Sequence, residues 1–130
     1  MGSRASVRLE SHGIYATWTG DRRRVPQILE FTEVVPARVG IEFGCVVRLR
    51  GYKGKVLDWR IAHPPFRDSD GRRTPDFTGE EHVRTNDYAF YLGDAVWEPC
   101  DDKLGGWTMS VDCQGERLAT VTFHVVPDTA

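Results

Sequence analysis

The stretch RIAHPPFRDSDG, residues 60–71, gathers residue types that metal and acid–base chemistry require. His63 offers an imidazole, and Asp68 and Asp70 offer carboxylates. With His82 and the acids Glu80 and Glu81 downstream, the donors are those that zinc or a related ion takes. One expectation is therefore a small-ligand or metal-binding domain centred on His63 and His82, with Asp68 and Asp70 as further ligands, and a hydrolase if Ser69 or Ser110 were activated by His63. Spacing favours a plainer reading. DSDG begins like a calcium loop but lacks the remaining ligands. Asp and Ser bond their own backbone and Gly permits the reversal, so the segment reads as a turn. Pro64 and Pro65 end strand pairing just before it. A hydrolytic serine needs a base held by a third group, and no nucleophile elbow, phosphate-cradling glycine loop or HExxH pair is present. Glu80 and Glu81 are adjacent, so in an extended chain they point to opposite faces. The expectation is a protein that is not an enzyme, with no catalytic residues and no cofactor.

Binding is the leading expectation. Residues 64–79 form the longest irregular stretch and mix Phe66 and Phe77 with Arg67, Arg72 and Arg73, the aromatic and arginine types that protein interfaces favour. A non-enzymatic protein-interaction module follows from this, with a mobile surface loop as the alternative. Homodimerisation through an open sheet edge is a second mode of partnership. Arg22, Arg23 and Arg24 are the one basic cluster, far short of a nucleic-acid stripe, so no nucleic-acid partner is expected. No apolar run is long enough for a membrane span, and the first ten residues lack the apolar centre of a secretory signal. A cytoplasmic protein is expected, or one whose leader has been removed. Residues 1–5 are expected to be flexible.

The elements that must position these residues read as strands. The chain has 130 residues, of which 40% are hydrophobic and 28% charged, enough for one domain with its own core. Phe43, Cys45, Val47 and Leu49 alternate with polar neighbours, Val46 being the apolar exception on the outward side. Leu57, Trp59 and Ile61 form a second such run, with His63 on the same phase at its end. Trp107, Met109, Val111 and Cys113 form a third, which Gln114-Gly115 turns back into Ala119, Val121, Phe123 and Val125. GIYATW, ILEFTEVV and the end of EEHVRTNDYAFYL have strand composition. Helical spacing is absent, so the expectation is an all-β antiparallel sandwich of seven to eight strands spanning residues 1–130 as one domain. The net charge of −2 conceals 11 basic against 6 acidic residues through Arg60 and 6 against 13 after it. Interleaved strands would set these opposite charges beside one another.

Cys45, Trp59 and Cys113 lie on apolar faces in the Cys, Trp, Cys order of immunoglobulin domains, which makes Cys45 and Cys113 a candidate disulfide. Val111 stands where a tyrosine-corner Tyr would be, and Cys100 leaves the count odd.

With these elements placed, the chain resembles a small bacterial family known as domain of unknown function 3859. The resemblance rests on GIY at 13–15, VPARVGIEFG at 35–44, HPPF at 63–66 and GGWTMSVDCQGERLATVTFHV at 105–125. It implies an immunoglobulin-like β-sandwich with no assigned activity and transfers no catalytic residue.

Overall fold

Strands form where the sequence alternates. In the computed structural model, which describes residues 5–21 and 24–129, β4 (Glu42–Arg50) buries Phe43, Cys45, Val47 and Leu49. β8 (Gly105–Cys113) buries Trp107, Met109, Val111 and Cys113, and β9 (Glu116–Val126) buries Val121, Phe123 and Val125. Cys113 pairs with Glu116 across a two-residue loop in which Gln114 and Gly115 both take positive φ, 52° and 81°. Those angles suit the right-handed twist of the strands they join.

β5 (Val56–Ala62), β6 (Phe77–His82) and β3 (Val34–Pro36) complete one sheet, in the order β3-β9-β8-β5-β6. β1 (Ser6–Tyr15), β2 (Ile28–Phe31) and β7 (Asp87–Ala95) join β4 in the other, in the order β2-β1-β4-β7. The inner faces share one core, at whose centre Phe43 meets Trp107 and Phe123 edge-on at 5.4 and 5.5 Å. The expected all-β sandwich is present, with nine strands among the described residues rather than seven to eight.

Three elements differ from expectation. ILEFTEVV is not one strand: Thr32 and Glu33 break it, β2 stays in the sheet with β1, β4 and β7, hereafter the first sheet, and β3 crosses to the second and runs parallel to β9. Val35 is thereby fully buried, while Leu29 and Phe31 remain 62% and 67% exposed on the free edge. The first strand starts earlier, at Ser6, and stops at Tyr15, so Trp18 leaves the sheet and packs edge-on against Tyr91 at 5.2 Å. That excursion explains Val46. It faces outward into a second apolar cluster with Tyr15 and Tyr91, roofed by Trp18 and Ile28. Finally, β6 begins at Phe77, inside the stretch expected to stay irregular through residue 79.

Early arginines do meet late aspartates. Arg48 binds Asp87 at 3.1 Å, Arg60 binds Asp76 at 2.6 Å and Arg38 binds Asp128 at 2.9 Å. Such exposed pairs contribute at most about 1 kcal/mol each.

The candidate disulfide does not form, and all three cysteines are free. Phe43 and Trp107 set a common level across the core. Cys45 lies two residues along β4 from it, whereas Cys113 lies six along β8, near the Tyr52 end of the sandwich. At about 3.3 Å per residue this is an offset of roughly 13 Å, beyond the reach of a bridge. Burial pushes the Cys45 thiol up to about 12, which holds it protonated.

Residues 1–4, and Arg22 and Arg23 of the basic cluster, lie outside the described residues. Among those described, no helix is long and apolar enough to cross a membrane.

Candidate functional site

His63 follows the last residue of β5 on the inward phase, and everything around it is built from that position. Pro64 and Pro65 end the ladder, and the chain then folds into a small hairpin before β6 begins at Phe77. Arg67 and Arg73 bridge, Asp68 N–H donates to Arg72 O at 2.8 Å, and Thr74 N–H donates to Phe66 O at 2.9 Å. The Asp68 carboxylate accepts the N–H groups of Asp70 and Arg72 at 2.9 and 3.0 Å, and Gly71 turns at φ 77°. The expected turn chemistry of DSDG is therefore present. The segment is a hydrogen-bonded hairpin rather than a slack loop.

The hairpin's base is pinned to an aromatic cluster. The His63 ring stacks on Phe66 at 4.2 Å and 21°, with Phe77 at 4.8 Å and Trp107 at 5.7 Å. Trp97 stands perpendicular to Phe66 at 5.4 Å and lies 6.4 Å from Phe77. Lys103, at the end of a short 3-10 turn (Asp101–Lys103), is 2% exposed with its ammonium 4.7 and 4.5 Å from the Phe66 and Trp97 ring centroids. It also donates to Pro99 O at 3.0 Å and to the Asp102 carboxylate. A buried cation so placed is matched by a carbonyl, a carboxylate and two ring faces. The Trp107 indole N–H donates to Lys103 O at 2.8 Å, tying the turn to the core.

Above this cluster opens a cavity of about 530 Å³. Phe66, Phe77 and Trp97 supply its apolar surface, and Arg67 and Lys103 with Asp68, Glu98 and Asp102 its charged parts. Arg67, Arg72 and Arg73 are exposed on the hairpin, Arg67 reaching Gly71 O at 2.8 Å.

The sequence-predicted residues divide accordingly. Arg67, Arg72, Arg73 and Phe77 lie on the hairpin and the cavity wall. Phe66 belongs to the core at 5% exposure, so it supports the site from below rather than presenting a free ring. The donors of the metal reading do not converge. His82 pairs with Val56 at the far end of the β5–β6 ladder, seven residues from His63, which is about 20 Å of strand. Asp68 is spent on the hairpin's own amides, both nitrogens of His63 face carbonyl oxygens, and no group of three or more metal-ligating side chains occurs among the described residues. Trp97, Lys103 and Asp102 were not foreseen. The single available signal was Lys103 itself, the one lysine after Lys55 in the chain.

A second buried charge lies outside the first sheet. The Tyr91 hydroxyl donates to the Glu42 carboxylate at 2.6 Å, and burial together with that carboxylate pushes the Tyr91 phenol far above its ordinary range. Tyr15, bonded to Ser11 at 2.7 Å, is pushed up to about 12 by burial. Asp94, at the cavity end of β7, is also raised: burial raises it most and the Glu42 charge adds, while the Ala95 N–H and the charge of His63 act the other way.

Two sheets packed face to face around Phe43 and Trp107, with loops gathered at the ends, define an immunoglobulin-like protein. A crystal structure of an immunoglobulin-like protein from Pseudomonas aeruginosa superposes with a TM-score of 0.75 at 22% identity, covering 96% of this chain and 100% of that one. The chain belongs to the family described as domain of unknown function (DUF3859), whose sequence pattern matches residues 3–125. No curated protein matches the chain.

Proposed function

We propose that the protein is a non-enzymatic protein-interaction module whose loop-end cavity receives a side chain of its partner. The observation that carries this reading is the combination of an open cavity walled by Phe77 and Trp97 with three exposed arginines on a hydrogen-bonded hairpin beside it. Arg67, Arg72 and Arg73 make no ion pair among the described residues, so their charge is available to carboxylates on the partner. A partner segment with an apolar side chain flanked by acidic residues fits both parts. Aromatic walls and arginines are the groups that concentrate binding energy, and a pre-ordered hairpin limits the entropy lost on docking.

The test places a photo-crosslinking residue at Arg72, identifies the protein it captures, and measures binding of that protein in purified form. Alanine at Arg67, Arg72, Arg73 and Phe77 together should weaken binding at least tenfold, about 1.4 kcal/mol. Unchanged affinity would remove the hairpin and cavity from the interface.

A further inference from the structure

We propose that His63 is a proton-operated clasp on the hairpin that walls this cavity; the proposal rests on the binding reading above only for what the clasp controls. Its Nδ1 lies 2.8 Å from Pro64 O and its Nε2 2.7 Å from Pro75 O. A peptide carbonyl accepts and never donates, and a neutral imidazole has one N–H to give. Both bonds therefore exist together only in the doubly protonated ring. The neutral ring keeps one of them and turns a lone pair towards the other oxygen.

The two carbonyls bracket the hairpin, Pro64 where it leaves β5 and Pro75 just before it enters β6. A doubly bonded His63 thus ties both ends to one ring, and loss of one proton removes one of the two ties. The rings around it accept a cation on their faces, since Phe66 stacks on it while Phe77 and Trp107 flank it. Charged groups on three sides surround the site. Asp94 on β7 lies within electrostatic reach, its carboxyl raised chiefly by burial and further by the Glu42 charge, with His63 acting the other way. Lys103 lies against the Phe66 ring and is matched by Asp102. Asp76, next to Pro75, is spent on Arg60 at 2.6 Å. Phe77 of β6 and Trp107 of β8 bring no charge. Proton uptake at His63 closes the clasp and proton loss opens it, so the cavity wall is ordered by proton uptake.

Native-state hydrogen exchange reads the hairpin directly through the Asp68, Gly71 and Thr74 amides, which donate to Arg72, Asp68 and Phe66 carbonyls. Their protection factors should fall about tenfold between about pH 5 and pH 8, the loss of one charge-assisted hydrogen bond, and should be flat in His63→Gln. Nitrogen-15 spectra of the wild-type histidines should show both ring nitrogens of His63 protonated at the lower pH and one at the higher. A bare nitrogen at low pH, equal protection at both values, or a pH response that survives in His63→Gln would each overturn the clasp. Should His63→Gln not fold, the wild-type spectra and exchange decide alone. Neither measurement needs the partner, so failure of the clasp and failure of the interaction reading are separate results.

Discussion

Among the described residues Lys103 and Glu42 are each buried against aromatic rings, one at the loop end and one outside the first sheet. At the loop end Lys103 lies between Phe66 and Trp97, and a cavity of about 530 Å³ opens above it. Outside the first sheet Glu42 lies under Tyr91 and Trp18, whose backbone N–H approaches the carboxylate at 3.5 Å, and the space beside those two rings, lined by Glu81 rather than Glu42, is about 10 Å³, room for one water. The materials are alike and the closure differs. Trp18 and Ile28 roof the second cluster, whereas the hairpin at 64–76 stands beside the first as a wall. Burying a charge among rings is thus a packing solution in this fold, and the open space beside it is what distinguishes a candidate site.

That comparison is sharpened first at Trp107, where the loop-end cluster joins the core. Trp107→Ala should destabilise the protein by about 3–5 kcal/mol in denaturant titration, because a fully buried indole leaves a cavity and an unmatched Lys103 carbonyl. A loss below about 1 kcal/mol would mean that the loop end folds independently of the core. Tyr91→Phe comes next. It removes the hydroxyl that satisfies buried Glu42, and about 1–3 kcal/mol should be lost in the same assay, with no change in partner binding. A binding defect in Tyr91→Phe would erase the distinction between the two clusters. Smallest is Lys103→Met, which keeps the stem among the rings and leaves Asp102, whose side chain is 38% exposed, to water. Stability should stay within about 1 kcal/mol of wild type, since well-packed apolar replacements of buried ions are often neutral. A larger loss would make the ammonium, and not the packing, the organiser of the loop end.

Legibility in the sequence followed how each strand is buried. β8 and β9 turn one face to the core and the other outward, and β4, though Glu42, Gly44 and Val46 on its outer side are also covered, still alternates apolar residues with mostly polar or glycine neighbours, so the pattern is plain in the residues. β6 was hidden because FTGEEH hides its burial. Gly79 is bare so that Trp59 can cover it, a Cβ there falling 2.4 Å from the indole, and Glu81 is buried under the Tyr88 hydroxyl. A buried carboxylate and a bare glycine read as a loop. The split of residues 28–36 was hidden for a related reason, since changing sheets leaves composition untouched. At the site, His63, Phe77 and the arginines were visible because they follow one another along the chain. Trp97 and Lys103 come from a separate segment, and only the topology brings them beneath Phe66.

The crossing strand β3 has a kinetic consequence. Val35 pairs with Val125, ninety positions away in the chain, whereas the hairpin of β8 and β9 closes over two residues. The local hairpin can form early, but β3 must wait for it, and its short parallel ladder closes a loop that encompasses most of the molecule. Folding therefore has a high contact order and belongs to the slower millisecond-to-second class of β proteins. On the ribosome, Val35 emerges long before the strand that will shelter it has been synthesised, and the early strands spend that interval with their apolar faces uncovered.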